Sequence, residues 1–172
     1  MSLMPPRENH LADAACRAIP ALTVILSILL MSLPLPLAVG AMPNFALLFV
    51  IIWSMLQPRL MPPWLAFLLG IFVDLVSGIP LGHSALIFTG AVATVRFAAS
   101  RFEGSHNLLL DWILTAMILL AAALLSWQLC AFTGRPAILW PLLLQALTTL
   151  IAYPIALAFA SRVQDRILRW NA

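Results

Sequence analysis

The sequence predicts an all-α polytopic membrane protein, a compact bundle of about six transmembrane helices with both termini cytoplasmic. Three observations predict it. Composition is the first: 63% of residues are hydrophobic and 9% charged, with a mean hydropathy of +1.05, where a soluble domain carries roughly 25% charged residues. The second is that the apolar residues fall into six runs, punctuated by Pro43, by Pro58 with Pro62 and Pro63, by Gly78 and Pro80, and by Gly134 and Pro136. The third is the placement of the arginines, which are the only Lys/Arg residues in the chain. With six crossings, Arg7, Arg17, Arg59, Arg96, Arg101, Arg162, Arg166 and Arg169 share one side and Arg135 alone takes the other. Basic residues beside helix ends mark the cytoplasmic side.

Residues 1–172 form a single membrane domain. Its predicted helices are 19–40, 44–57, 62–78, 80–98, 108–132 and 138–160, with an amphipathic tail over 161–170. A helix needs about 20 residues to cross about 30 Å of hydrocarbon. The first, fifth and sixth runs meet that length, the third and fourth are adequate, and the second is short. It needs residues 41–43, or a locally thinned bilayer. Short joins make sequence neighbours antiparallel neighbours in space. The tryptophans suggest two interfacial belts: Trp53, Trp64, Trp112 and Trp170 inside, Trp127 and Trp140 outside. A rival reading takes Ala38-Val39-Gly40 as a signal-cleavage site, leaving five helices in the same orientation. Glu8 and Asp13 within so long a leader weigh against it.

Most function classes lack their residues. The net charge of +3 is a topology signal and does not point to nucleic acid. The sequence offers no His-Glu-x-x-His and no Gly-x-Ser-x-Gly, so the metalloprotease and serine-hydrolase readings fail. Gly82-His83-Ser84 brings a base beside a hydroxyl, but adjacent residues diverge on a helix. Asp74 and Asp111 fall near opposite faces, some 20 Å apart at ~1.5 Å per residue, too far for an aspartyl dyad. Cys16 and Cys130 lie at opposite helix ends and cannot pair. No enzyme, no cofactor, no metal site and no soluble substrate are expected.

The informative residue is Asp74, in the run Gly70-Ile71-Phe72-Val73-Asp74-Leu75-Val76-Ser77-Gly78-Ile79-Pro80-Leu81-Gly82. A carboxylate at the centre of a membrane helix costs about 2.5–3.5 kcal/mol on insertion scales. Its plain reading is a side chain snorkelling to the outer interface or accepting from Ser77. The functional reading is a polar contact within the bundle or with a partner helix. Asp111 reads as a first-turn acid behind an Asn107 or Ser105 cap, with Arg96 a candidate partner. Gly70, Gly90, Ala91 and Ala93 read as close-packing positions. Gln145, Thr148 and Thr149 share a helix face and suggest a hydrogen-bond seam between helices. In the tail, Arg162, Arg166 and Arg169 share one face while Val163, Ile167 and Trp170 share another, the pattern of a membrane-surface helix on anionic lipid. Docking of a cytoplasmic partner is the alternative.

The Pro34-Leu35-Pro36 exit, Pro43, and above all Gly70, Asp74, Gly78, Pro80, Leu81 and Gly82 resemble MreD, the small membrane subunit of the bacterial rod-shape (elongation) machinery. The likeness is carried by the first ninety residues or so; the later half matches only as apolar helices. The resemblance implies a non-catalytic scaffold of the peptidoglycan elongation complex in the bacterial inner membrane. It further implies association with an MreC-like bitopic protein, and through it with MreB, RodA and a class B transpeptidase. The family is also similar in plan to the six-helix substrate-binding subunits of vitamin importers, which makes a small-ligand-binding importer component the alternative. A ligand site wants several convergent polar groups, and the buried candidates in the sequence are few.

Overall fold

A computed structural model describes residues 10–32, 42–101, 108–132 and 138–170, with side chains for 18–31, 42–101, 108–131 and 138–166. These residues form six helices: α1 His10–Ser32, α2 Phe45–Leu56, α3 Pro63–Ser77, α4 His83–Arg101, α5 Leu108–Phe132 and α6 Leu139–Trp170. The last residues of α1, α3 and α5 and the first of α2, α4 and α6 line one common cavity, so successive helices alternate in direction. We call that end distal, and the end at which α1 begins and α6 finishes proximal.

The organising element is the shortest. At ~1.5 Å per residue, the 12 residues of α2 span about 18 Å. Ala46, Leu47, Leu48, Val50, Ile51, Ile52, Trp53 and Ser54 are all buried, leaving no lipid-facing stripe. A helix apolar all round is a core helix, and α1, α4 and α6 pack around this one. The sequence predicts that so short a helix needs residues 41–43 or a thinned bilayer; its shortness has another reason, that protein surrounds α2. Asn44 starts it, its Oδ1 accepting the Leu47 amide at 3.1 Å.

Three polar links pin α2 in place. Trp53 Nε1 donates to Thr23 Oγ1 of α1 at 2.9 Å. The Asn44 amide donates to Thr149 Oγ1 of α6 at 2.8 Å, and the Tyr153 hydroxyl reaches Met55 Sδ at 3.9 Å. Trp53 is thus a core residue, not part of an interfacial belt. Thr149 also donates to the Gln145 carbonyl at 2.5 Å, which makes it the working member of the predicted seam.

Among the described residues, only α5 and α6 are long and apolar enough to cross a membrane alone. The most apolar 18-residue window of Leu108–Ala131 has a mean hydropathy of 2.4 and that of Leu139–Arg166 one of 1.9, and only 28% and 17% of those windows is buried. Apolar surface turned outward on that scale is what lipid accepts and water does not. The other four fall short of the six spans predicted. The apolar parts of α1 (Ala18–Met31), α2 and α3 are shorter, and α4 is interrupted by Thr89, Thr94 and Arg96.

The limits of α2, α3, α4 and α5 agree with prediction to within three residues, whereas α1 and α6 run well past their apolar stretches. The polar turns from His10 onward are helical in α1. The predicted tail is the unbroken continuation of α6 to Trp170, with Val163 packed on the core and Arg162 and Arg166 exposed. At 32 residues, α6 is about 48 Å long. The side chains of Arg169 and Trp170, the Pro34-Leu35-Pro36 exit, Asn107, Ser105 and Arg135 lie outside the described residues.

At the proximal end Arg96 does not pair with Asp111. Its Nη2 donates to the carbonyl oxygens of Pro58 at 2.8 Å and Met61 at 3.4 Å, tying the α2–α3 connection to α4. Arg101 lies over the Phe97 ring, 5.3 Å from its centroid.

Candidate functional site

Six predicted site residues come together in the corner joining α3 to α4. Gly78 ends α3 in the left-handed conformation, φ 65°, which glycine adopts at no steric cost. The amides of Gly78 and Ile79 both donate to the Asp74 carbonyl. Pro80 accepts from the His83 amide at 3.3 Å as α4 begins. Gly82, at φ 100°, turns the chain into that helix.

The Asp74 side chain faces the same corner from inside. It is 0% exposed. Oδ2 accepts the Gly82 amide at 2.8 Å and Oδ1 the Ser84 amide at 2.9 Å. The first amides of a helix have no partner within it, and a carboxylate there satisfies them and complements the helix dipole. Asp74 therefore serves two helices: its carbonyl closes α3 and its carboxylate opens α4. It neither snorkels nor accepts from Ser77. This arrangement explains how a membrane bundle keeps an aspartate in its interior: hydrogen-bonding partners replace the water it gives up.

Gly70, one turn before Asp74, sets how close the two helices come. A methyl group built on it would fall inside contact distance of the Ala85 and Ser84 backbone. The corner is thus locked at two levels, by backbone contact at Gly70 and by the carboxylate above it. Gly90 differs from the predicted packing role: it is exposed and a Cβ there would meet nothing within 4 Å. At the turn itself, Ile79 and Leu81 are exposed, and both border the cavity at the distal end.

The second feature is a cavity of about 920 Å³ at the distal end, to which all six helices contribute. Asn44 and Ala46, at the start of α2, line it together with the distal ends of the other five helices. Ile28, Val73, Ile87, Phe88, Leu129 and Leu142 supply apolar wall. Ser77, His83, Ser84, Ser126 and Gln145 supply polar groups. The sequence marks Gln145 as a candidate for a ligand site or a hydrogen-bond seam and Cys130 only as a thiol that cannot pair with Cys16, and it does not single out Ser126; all three line the cavity. No local signal marks a serine on an otherwise apolar helix as cavity-facing; that follows only from how α5 is rotated in the bundle. The predicted tail arginines lie at the other end of α6, apart from both features. Among the described residues no group of three His, Cys, Asp or Glu is placed to hold a metal ion.

An alternating helical bundle closed around a buried short helix, with its two membrane-length helices turned outward, has the build of a small membrane protein. Residues 16–163 match the family model described as rod shape-determining protein MreD, and the chain belongs to the MreD family. No curated protein and no solved structure matches it.

Proposed function

We propose that this chain is a non-catalytic scaffold of the rod-shape and peptidoglycan elongation machinery in the bacterial inner membrane. All six helices lie in the bilayer, both termini are cytoplasmic, and the distal end faces outward. It associates with an MreC-like bitopic protein, and through it with MreB, RodA and a class B transpeptidase. The observation that carries the reading is the family match, which spans nearly the whole bundle. Two features support it. The outward faces of α5 and α6 are apolar, as lipid or partner helices require. The α3–α4 corner is a rigid element with an apolar exterior, because its only carboxylate is engaged inside the chain.

Asp74 acts on a partner indirectly in this reading, by holding Ile79, Pro80 and Leu81 in one arrangement. Arg162, Arg166 and Arg169, with Trp170, hold the proximal end of α6 at the anionic membrane surface, each charge contributing about 1 kcal/mol. Purification in mild detergent, with identification of co-eluting proteins, tests the scaffold. Recovery of cell-wall synthesis proteins, and rounding of cells depleted of the chain, are the expected results. Rod-shaped depleted cells and recovery of an ATPase module instead would replace the scaffold with a transport role. A reporter fused after Ala172 should be active only in its cytoplasmic form.

A further inference from the structure

We infer that the distal cavity is a docking site for a short uncharged polypeptide segment of a membrane partner, the stretch just outside that partner's transmembrane helix. This rests on the scaffold reading above and specifies where the partner's chain is held. No Asp, Glu, Lys or Arg is among the described residues lining the cavity. The nearest carboxylate, Asp74, has both oxygens committed to amides of its own chain. A charged occupant would find no counter-charge there, and burying an unpaired charge is strongly unfavourable.

Hydrogen-bonding capacity decides between the uncharged occupants. The hydroxyls of Ser77, Ser84 and Ser126, the His83 imidazole and the Gln145 amide line the cavity and have no hydrogen bond to the described protein. Ser84 is only 7% exposed, and it lines the cavity at the start of α4. These groups are not confined to the rim. Ser126 lies six residues before the end of α5 and Gln145 six after the start of α6, about 9 Å inward at ~1.5 Å per residue. A hydrocarbon tail would leave the deep groups unmatched. A polypeptide carries a donor and an acceptor on every residue and sets small or apolar side chains against the apolar wall. The volume, about 920 Å³, lies within the roughly 300–1,000 Å³ range of binding pockets, room for a short segment and not for a domain.

Cys130 lines the cavity and supplies the test. The full chain carrying Cys16→Ser is co-expressed with its bitopic partner. Single cysteines are walked through the partner's ten or so residues outside its transmembrane helix, and mild oxidation follows. A disulfide requires Cα atoms within roughly 7 Å. One or two adjacent positions should link to Cys130. Ser126→Leu, which fills the cavity, should cut that linkage at least tenfold at unchanged abundance. If the partner co-purifies but links only to a cysteine placed on the open face of α4 (Gly90→Cys), it lies along the helix flank and the docking proposal is overturned while the scaffold stands. Equal alkylation of Cys130 by N-ethylmaleimide with and without partner would show a water-filled cavity. Protection in phosphatidylethanolamine vesicles lacking the partner would show a lipid. Either result overturns the proposal. Failure of the partner to co-purify at all removes the scaffold reading itself.

Discussion

Asp74 Oδ2 accepts the amide of Gly82 at 2.8 Å, across a turn of eight residues. Only a residue at ease with φ 100° presents its amide in that direction. The aspartate and the glycine are therefore one device, and the intervening Gly-Ile-Pro-Leu is the loop that the device closes. The Ser84 amide completes the pair on Oδ1.

Asp74→Leu separates this device from simple membrane insertion. Removing a carboxylate should ease insertion by a few kcal/mol on a helix-centre scale. Removing this one leaves the exposed Gly82 amide without its acceptor and strands the buried Ser84 amide, the latter at about 1–3 kcal/mol. The expected outcome is a chain that inserts normally but melts at lower temperature in detergent. Asp74→Asn keeps one acceptor oxygen and should fall between. Unfolding of the Leu variant at the wild-type temperature would show that the corner holds without its cap.

Gly70 and Gly90 make opposite predictions for the same substitution. Gly70→Ala forces a methyl group onto the Ala85 backbone; overpacking of this kind costs about 1–3 kcal/mol. Gly90→Ala meets open space and gains helix propensity, so it should leave the isolated chain unchanged or stabilise it by roughly 0.5–1 kcal/mol. Thermal unfolding of the two variants side by side checks both. Equal destabilisation would mean that Gly90 is packed after all.

The two turn glycines should also rank. Gly78, at φ 65°, sits where Asn is tolerated, so Gly78→Asn should be nearly neutral and Gly78→Ala should cost about 1–2 kcal/mol. Gly82, at φ 100°, lies further from what side chains allow. Gly82→Asn should cost more than Gly78→Asn and should resemble Asp74→Leu, because both break the same bond. Combining Gly82→Asn with Asp74→Leu should then be less than additive. Full additivity in a double-mutant cycle would separate the two residues.

These comparisons show what the sequence could and could not disclose. The Asp74 motif was legible because its parts are local: a glycine exit, a proline and a second glycine within nine residues of a buried acid. The capping role was hidden in the amides of Gly82 and Ser84, since backbone donors leave no mark in a side-chain pattern. The six helices were legible as apolar runs. That α2 is the centre was not, because shortness alone does not tell a buried helix from one in a thin membrane. Trp53 was misplaced for the same reason: proximity to a predicted helix end suggested an interface, and burial against Thr23 put it in the core. The cavity was out of reach, since it depends on how the distal ends of all six helices are placed and rotated in the bundle.

Arg96 gives the last prediction, because the sequence offered it a role in topology and the structure gives it another. Its guanidinium donates to the Pro58 and Met61 carbonyls, groups that the end of α2 and the turn into α3 leave without helical partners. Arg96→Lys keeps the inside charge but replaces a planar fork with a single point donor. Topology should therefore be retained in Arg96→Lys, and also in Arg96→Gln, since the other arginines at that end preserve the bias. What should change is the α2–α3 connection. In inside-out vesicles, cleavage by trypsin after Arg59 should accelerate in both variants, more in Gln than in Lys. Hydrogen exchange at the Leu60 amide, which donates to the Gln57 carbonyl at 3.0 Å in the same turn, should accelerate in the same order. An inverted chain in Arg96→Lys, or cleavage at the wild-type rate in Arg96→Gln, would show that the arginine serves charge bias alone and that its carbonyl contacts do not hold the turn.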